Sequence, residues 1–206
     1  MKLYDTVYQE AKAEYITQKS RFIAHISPVD SCDEAKAFIS SIKSEYKDAT
    51  HNVPVMVVGE KQEIQWSSED GEPQGTAGAP ILRMIVERGL TNLAIVVTRY
   101  FGGIKLGAGG LIRAYSGSVA HAIEEIGRVE IKELMGLIVK LTYSQYQVFS
   151  NFLEKEGLQE FDTTFLSEVS TTLFVEESEI ERLGQELTEF YQGKVNYEKS
   201  GKKIVE

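Results

Sequence analysis

Several features that would assign a function quickly are absent or scarce in this sequence of 206 residues. One cysteine, Cys32, is present, which excludes an intramolecular disulfide and a cysteine-cluster metal site. The three histidines, His25, His51 and His121, are dispersed, so we expect no metal site. No run of about 18 apolar residues and no cleavable leader pattern occur, and we therefore expect a cytoplasmic protein without a membrane partner.

Positive net charge is lacking as well. The formal net charge is -9, which argues against broad electrostatic attraction to nucleic acid. The deficit is uneven, because residues 134–206 hold 7 basic and 13 acidic side chains, whereas residues 1–133 hold 15 and 18. No Asp or Glu occurs between Glu87 and Glu124. That stretch is locally basic and contains Arg88, Arg99, Lys105, Arg113 and His121.

Apolar periodicity predicts an α+β protein of two domains, residues 1–133 and residues 134–206. In the first domain, Ser31 and Glu34 have the spacing of a capping box at the start of a helix. In the second domain, the pattern predicts strand, helix, strand, strand, helix, strand. This order is that of a ferredoxin-like unit.

An acidic loop is predicted at residues 67–78. Glu69, Asp70 and Glu72 place three carboxylates within four residues, which requires a cation, an arginine or backbone amides as partners. The loop ends where Ala79-Pro80 can start a helix, and free amides at a helix start favour an anion or a carboxylate. The alternative is a solvated turn with a few caps.

A glycine-rich loop is predicted at Thr98–Gly110, between a buried strand at Leu93–Val97 and a helix at Leu111–Ile126. It holds five glycines in thirteen residues, which indicates close backbone approach to another group. Together with Arg99, Lys105 and Arg113, it favours a phosphate or carboxylate ligand. The purely structural alternative is a packing turn in which the arginines pair with the acidic loop. Both interpretations require the two loops to meet.

Known nucleotide and catalytic motifs do not fit these loops. The glycine-rich loop lacks the Gly-Lys-Ser/Thr of a P-loop, and Ile112 stands where the dinucleotide fingerprint has glycine. No nucleophile and base occur in a convincing pattern. We therefore expect no cofactor, and the sequence leaves open whether the protein is an enzyme.

Two long motifs, Asp70–Gly78 and Arg99–Leu111, together with Lys19–Phe22 and His51, resemble the signature of the IMPACT/YigZ family. The resemblance covers the whole chain and follows its bacterial two-domain members. Glu69 is a departure, since members commonly carry Asp at that position.

The resemblance implies a first domain of the type found in ribosomal proteins and in the fourth domain of elongation factor G. It implies a second, ferredoxin-like domain similar to the fifth domain of that factor. Contact with RNA or the ribosome is the natural expectation, although it rests on fold analogy. Eukaryotic relatives regulate translation during amino-acid starvation through an additional N-terminal domain, and we do not expect that mechanism to apply to this chain.

The residues and the resemblance together favour a non-catalytic binding protein associated with translation. Its partner would be RNA, the ribosome or a translation-related protein, contacted through the N-terminal domain. The alternatives are a phosphate-ligand enzyme, either a phosphotransferase or a hydrolase, and a module for protein interaction only. The candidate ligand-binding residues are Lys19, Arg21, His51, Asp70, Glu72, Gln74, Thr76, Arg99, Tyr100, Gly102, Gly103, Lys105, Gly109, Gly110 and Arg113.

Overall fold

The structure is a computed structural model that describes residues 1–205. It has the mixed α+β architecture that the sequence predicts. The described chain divides into two compact units. The first unit is Tyr4–Glu130, and the second consists of Met1–Leu3 and the chain from Ile131 onward.

Within Tyr4–Glu130, five strands form a sheet in the order β2-β3-β6-β4-β5, and all neighbouring strands are antiparallel. The first strand of the chain, β1 (Lys2–Val7), contributes to a different sheet. The bounds of the five are β2 Ala11–Thr17, β3 Ser20–Pro28, β4 His51–Val58, β5 Ile64–Ser67 and β6 Leu93–Tyr100.

Helices cover both faces of this sheet. On one face, α1 (Cys32–Glu45) packs with alternate residues of the central strands, among them Ala94 and Val96. On the other face, α2 (Gly78–Glu87) and α3 (Gly107–Ile126) pack over Ile95 and Val97. Strand β6 is buried on both faces, which explains its continuous apolar run.

The predicted start of α1 is correct, with a small difference in its cap. The Ser31 hydroxyl accepts the amide of Glu34 at 3.2 Å. The Glu34 carboxylate reaches back to the amide of Asp30 at 2.8 Å, one residue earlier than in a capping box.

The predicted loop at Thr98–Gly110 is too long at both ends. Strand β6 continues to Tyr100, because the backbone of Arg99 lies in register with Phe22 of β3 and His51 of β4. Helix α3 begins at Gly107, four residues before the predicted start. The glycines after Leu106 therefore form the first turn of a helix.

In residues 131–205, four antiparallel strands have the order β10-β7-β9-β8, with helices between them in the sequence β-α-β-β-α-β. The ferredoxin-like prediction is confirmed. The first helix of the predicted order is divided into two short helices, α4 and α5. The bounds are β7 Arg128–Leu141, α4 Tyr143–Tyr146, α5 Phe149–Glu156, β8 Glu160–Phe165, β9 Val169–Val175, α6 Ile180–Phe190 and β10 Asn196–Val205.

Two structural features that would bear on function are absent from residues 1–205. No helix in this range is both long enough and apolar enough to span a bilayer. In the same range, no group of three or more His, Cys, Asp or Glu side chains is arranged to hold a metal ion.

Candidate functional site

The acidic loop and the glycine-rich segment meet at a buried ion pair. Nη1 of Arg99 lies 2.5 Å from Oε1 of Glu72, and both side chains are almost fully buried. The Tyr115 hydroxyl donates to the same carboxylate oxygen at 2.6 Å. Burial, together with the hydrogen bond to Glu72, raises the pKa of Tyr115 well above its ordinary value. The phenol therefore stays protonated and remains a donor.

The carboxylate and the carbonyl oxygen of Asp70 are hydrogen-bonded to other residues of the protein. Its carboxylate accepts Nζ of Lys43 at 2.6 Å and the backbone amide of Asn52 at 2.7 Å. Its carbonyl oxygen lies 2.7 Å from Nδ1 of His51, and since a carbonyl can only accept, Nδ1 is the donor. Asp70 thus fixes the loop and orients a histidine, and its carboxylate is not among the groups that line the cleft described below.

Glu69 provides the anion that the start of α2 favours. In the described chain, its carboxylate accepts the amides of four residues at 2.8–3.2 Å: Gly75, Ala77, Gly78 and Ala79. The backbone amides at the amino terminus of α2 therefore have an acceptor within the protein itself.

A cleft of about 460 Å³ opens beside the ion pair and extends to the amino terminus of α3. Its walls combine a strand end, the acidic loop and the glycine-rich segment. The lining residues are Thr50, His51, Glu72, Pro73, Arg99, Phe101, Lys105, Leu106, Gly107, Ala108 and Leu111.

The first turn of α3 lies at this cleft with free backbone amides. Leu106 stands at the N-cap position, where no side chain of residues 1–205 caps the helix, and the first turn carries no acidic residue. By contrast, Ser31 caps α1 and Glu69 occupies the start of α2. The amino terminus of this helix of 20 residues has the amides and the dipole that bind an anion.

Arg99 gives a second indication of a missing partner. Its side chain is 7% exposed, and its Nε has no hydrogen-bond partner among residues 1–205. The guanidinium carbon lies 5.5 Å from the ring centres of both Phe22 and Phe101. A buried donor without an acceptor costs about 1–3 kcal/mol, and because Nε is closed to solvent, a ligand could reach it only after the side chain shifts.

His51 lines the cleft, and its other ring nitrogen lies near the ion pair. Nε2 lies 3.8 Å from Oε1 of Glu72, which is too long for a hydrogen bond. Because Nδ1 carries the proton, Nε2 of the neutral ring is an acceptor. Glu72 and His51 therefore provide hydrogen-bond acceptors on the wall of the cleft.

The remaining predicted residues of the basic set lie outside the cleft lining. Arg21 is exposed, pairs with Glu14 at 2.7 Å and lies over the ring of Tyr100. Lys19 is exposed, and Arg113 is exposed on α3. The Tyr100 hydroxyl donates to Asp48 at 3.2 Å.

The remaining polar and glycine candidates are structural or exposed. Thr76 donates to the carbonyl of Pro73 at 2.7 Å, and Gln74 is exposed. A Cβ at Gly102 would overlap the backbone carbonyl of Lys19, so this glycine permits an approach of the chain to itself. Gly103, Gly109 and Gly110 follow in the segment that leads into and opens α3.

Sequence reasoning missed several residues that form the site. Tyr115 was not considered, although it lies four positions after Leu111 on the buried face of α3. Phe101 lies in the Arg99–Leu111 motif but has no predicted role, and its amide donates to Thr50 at 3.0 Å. The sequence indicates Glu69 as part of the acidic run and as a departure from the family pattern, but it does not show that this carboxylate caps α2.

Comparison with known proteins gives matches along most of the chain. Residues 18–123 match the Impact N-terminal domain family, and residues 139–194 match a domain of unknown function, DUF1949. The chain is 41% identical over 191 residues to the IMPACT family member YvyE of Bacillus subtilis, covering 93% of this chain and 88% of that protein. It is 34% identical over 95 residues to Protein IMPACT of Rattus norvegicus, covering 44% of this chain and 29% of the rat protein.

A solved structure agrees with this assignment. The crystal structure of a hypothetical protein, 28% identical in sequence, superposes with a TM-score of 0.60 over 96% of this chain and 97% of its own. The Impact N-terminal domain match spans more than half of the sequence, and it includes both motifs that form the cleft. The chain therefore belongs to the IMPACT family.

Proposed function

We propose that this protein is a non-catalytic binding protein associated with translation, which contacts RNA, the ribosome or a translation factor through its first unit. The cleft would hold a phosphate group of that partner at the amino terminus of α3. The observation that carries the proposal is that α3 opens into the cleft without a cap, while the starts of α1 and α2 are satisfied by Ser31 and Glu69.

The charges around the cleft are consistent with a phosphate ligand. Lys105, two residues before α3, lines the cleft and is exposed, and Arg113 is exposed on α3 itself. Backbone amides at a helix start and lysine side chains are common contacts of nucleic-acid phosphates. Since the whole chain has a net charge of -9, attraction would be confined to this locally basic surface.

The link to translation comes from the resemblance of the two domains to those of elongation factor G and of ribosomal proteins. This likeness of fold directs the choice of partners to be tested. Binding to phosphates should weaken as salt is raised, because counterions are released on binding.

The proposal can be tested with Ala108→Asp, which places a carboxylate in the first turn of α3. Ala108 is exposed and lines the cleft. The new carboxylate should stabilise the helix by about 0.3–1 kcal/mol through the dipole, and at the same time occupy the anion site. We expect the melting temperature to stay equal or rise while binding of RNA or ribosomes is lost.

Binding would be measured by fluorescence anisotropy with a single-stranded RNA of about 12 nucleotides, and by ribosome co-sedimentation, at about 50 and 200 mM salt. Ala37→Asp is the matched control, since Ala37 is an exposed residue of α1. If the wild-type protein binds no better than an acidic control protein, or if Ala108→Asp binds as well as wild type, the proposal is wrong.

A phosphate-ligand enzyme, either a phosphotransferase or a hydrolase, is the second candidate function. It is favoured by the acceptors Glu72 and His51 on the wall of the cleft, because an acceptor there could take a proton from water or a hydroxyl. Release of inorganic phosphate from a panel of phosphate monoesters would test it. Activity that is lost in His51→Ala, while the protein stays folded, would favour this candidate over the binding protein.

A further inference from the structure

An exposed aromatic ring stands at the wall of the cleft. Phe101 is 46% exposed, although it is a large apolar side chain, and it lines the cleft. Its position is held by the hydrogen bond from its amide to Oγ1 of Thr50 at 3.0 Å. The Arg99 guanidinium lies 5.5 Å from its ring centre. Phosphate binding at α3 does not explain why an aromatic ring is exposed at this cleft.

The helix start and its neighbours provide the donors for a phosphate. The free amides belong to the first turn of α3, and Lys105 lines the same cleft. A Cβ added at Gly109 would meet nothing in the described chain nearer than Nη1 of Arg113 at 3.5 Å. Glycine in a helix is about 0.5–1 kcal/mol less favourable than alanine, so packing alone does not account for it.

The same cleft also offers hydrogen-bond acceptors. Nε2 of His51 is unprotonated in the neutral ring, and the Glu72 carboxylate lies 3.8 Å from it. Hydroxyl groups of a sugar are donors that would satisfy such acceptors. The cleft therefore combines amides and an ammonium, hydrogen-bond acceptors, and an exposed aromatic face.

We propose that the cleft binds a nucleoside 5′-phosphate unit, with the phosphate at the amino terminus of α3 beside Lys105, the ribose hydroxyls toward His51 and Glu72, and the base stacked on Phe101. This inference rests on the proposed phosphate binding and names the ligand of that same site. The cleft of about 460 Å³ lies within the size range of small-ligand sites. The unit could be a free mononucleotide or the 5′-terminal nucleotide of an RNA chain.

The experiment compares adenosine 5′-monophosphate, ribose 5-phosphate and inorganic phosphate by isothermal titration calorimetry. Stacking of one base on an aromatic side chain corresponds to at least about five-fold in affinity. We expect the mononucleotide to bind at least that much more tightly than ribose 5-phosphate. Phe101→Ala should remove this difference and leave the affinity for ribose 5-phosphate unchanged, while Phe101→Trp should keep it.

Two further variants separate the outcomes. Lys105→Gln should weaken all three ligands alike, and Ala108→Asp should abolish their binding. If no phosphorylated ligand binds, both the phosphate site and the nucleotide inference are wrong. A different outcome is that ribose 5-phosphate binds, Ala108→Asp abolishes that binding, and the mononucleotide binds no more tightly than ribose 5-phosphate. In that case only the nucleotide inference is overturned.

The affinity for a short RNA with a 5′-phosphate would identify the source of the nucleotide. The same RNA with a 5′-hydroxyl is its control. Preference for the 5′-phosphorylated RNA over adenosine 5′-monophosphate would assign the site to an RNA end. Equal or weaker binding of the RNA would assign it to free mononucleotides. Circular dichroism of each variant would show that a loss of binding is not a loss of fold.

Discussion

At the scale of single residues, the site depends on a charged pair that has been removed from water. Glu72 and Arg99 are buried, and the Tyr115 hydroxyl completes the set of donors on one carboxylate oxygen. A buried pair of this kind contributes little net stability when both charges are present, but the loss of one partner leaves an uncompensated charge. The pair therefore holds the two loops in one arrangement.

The first prediction concerns this pair. Glu72→Ala should lower the free energy of unfolding by about 3–5 kcal/mol, because it leaves the Arg99 guanidinium buried without a counter-charge. Urea unfolding of the purified variant would measure it. The double variant Glu72→Leu/Arg99→Met should regain most of the loss, since no charge then remains buried.

A surface pair is the control for that measurement. Glu14→Ala removes the exposed partner of Arg21 and should change stability by less than about 1 kcal/mol. A loss in Glu72→Ala as small as in Glu14→Ala would mean that the cleft is open enough for water to solvate Arg99.

The second prediction concerns His25, which is 4% exposed and whose Nε2 has no hydrogen-bond partner among residues 1–205. Burial first, and then the nearby charge of Lys12, lower its pKa from 6.5 to about 4, against a smaller opposing effect of Glu45. The unfolded chain therefore binds a proton more readily than the folded protein does. This contribution to stability is present above about pH 6.5 and is lost as the pH falls toward 4, by up to about 3 kcal/mol.

The measurement is the free energy of unfolding between pH 7 and pH 5, a range above the usual titration of carboxylates. His25→Leu should flatten the decline over this range, because the group that titrates is gone. An equal decline in wild type and variant would place the effect on other residues.

At the scale of elements, the three helices of the first unit begin in different ways. A serine caps α1, a distant glutamate occupies the start of α2, and the start of α3 is left to the cleft. Periodicity located all three helices, but it did not show which helix start is filled. That depends on Glu69, which lies eight residues before the Ala77 amide it accepts and reaches it only because the loop folds back.

The third prediction follows from the cap on α2. Glu69→Ala removes a charged acceptor from the amides of Ala77 and Gly78 and should destabilise the protein by about 1–3 kcal/mol. Thermal unfolding followed by circular dichroism would measure this loss. Glu60→Ala, at an exposed position, is the control and should change stability by less than about 0.5 kcal/mol. Equal melting temperatures for the two variants would show that water replaces the cap without cost.

At the scale of the whole molecule, the described chain has separate cores. Two clusters of buried apolar residues, around Ile95 and around Ile39, belong to the first unit, and a third, around Phe152, belongs to the second. The candidate cleft is lined by residues of Tyr4–Glu130. A unit with its own core can fold independently.

The fourth prediction is that a fragment of residues 4–130 folds and retains the cleft. It should show a cooperative thermal transition and bind phosphate ligands as the full chain does, because the lining residues and their core are included. Ile81→Asp in the fragment should abolish the transition, since Ile81 is fully buried. A fragment without any cooperative transition would show that the second unit is needed for folding.

The sequence by itself determined the α+β class, the ferredoxin-like order of the second unit and the approximate positions of the three helices of the first unit, because these follow from local periodicity and turn chemistry. It also pointed to the two motifs that meet at the cleft. The tertiary structure decided which charges are buried in pairs, such as Arg99 with Glu72, and which helix start lacks a partner. Those outcomes depend on contacts between residues far apart in the chain. Local sequence patterns carry no information about which distant side chain pairs with a given charge or caps a given helix.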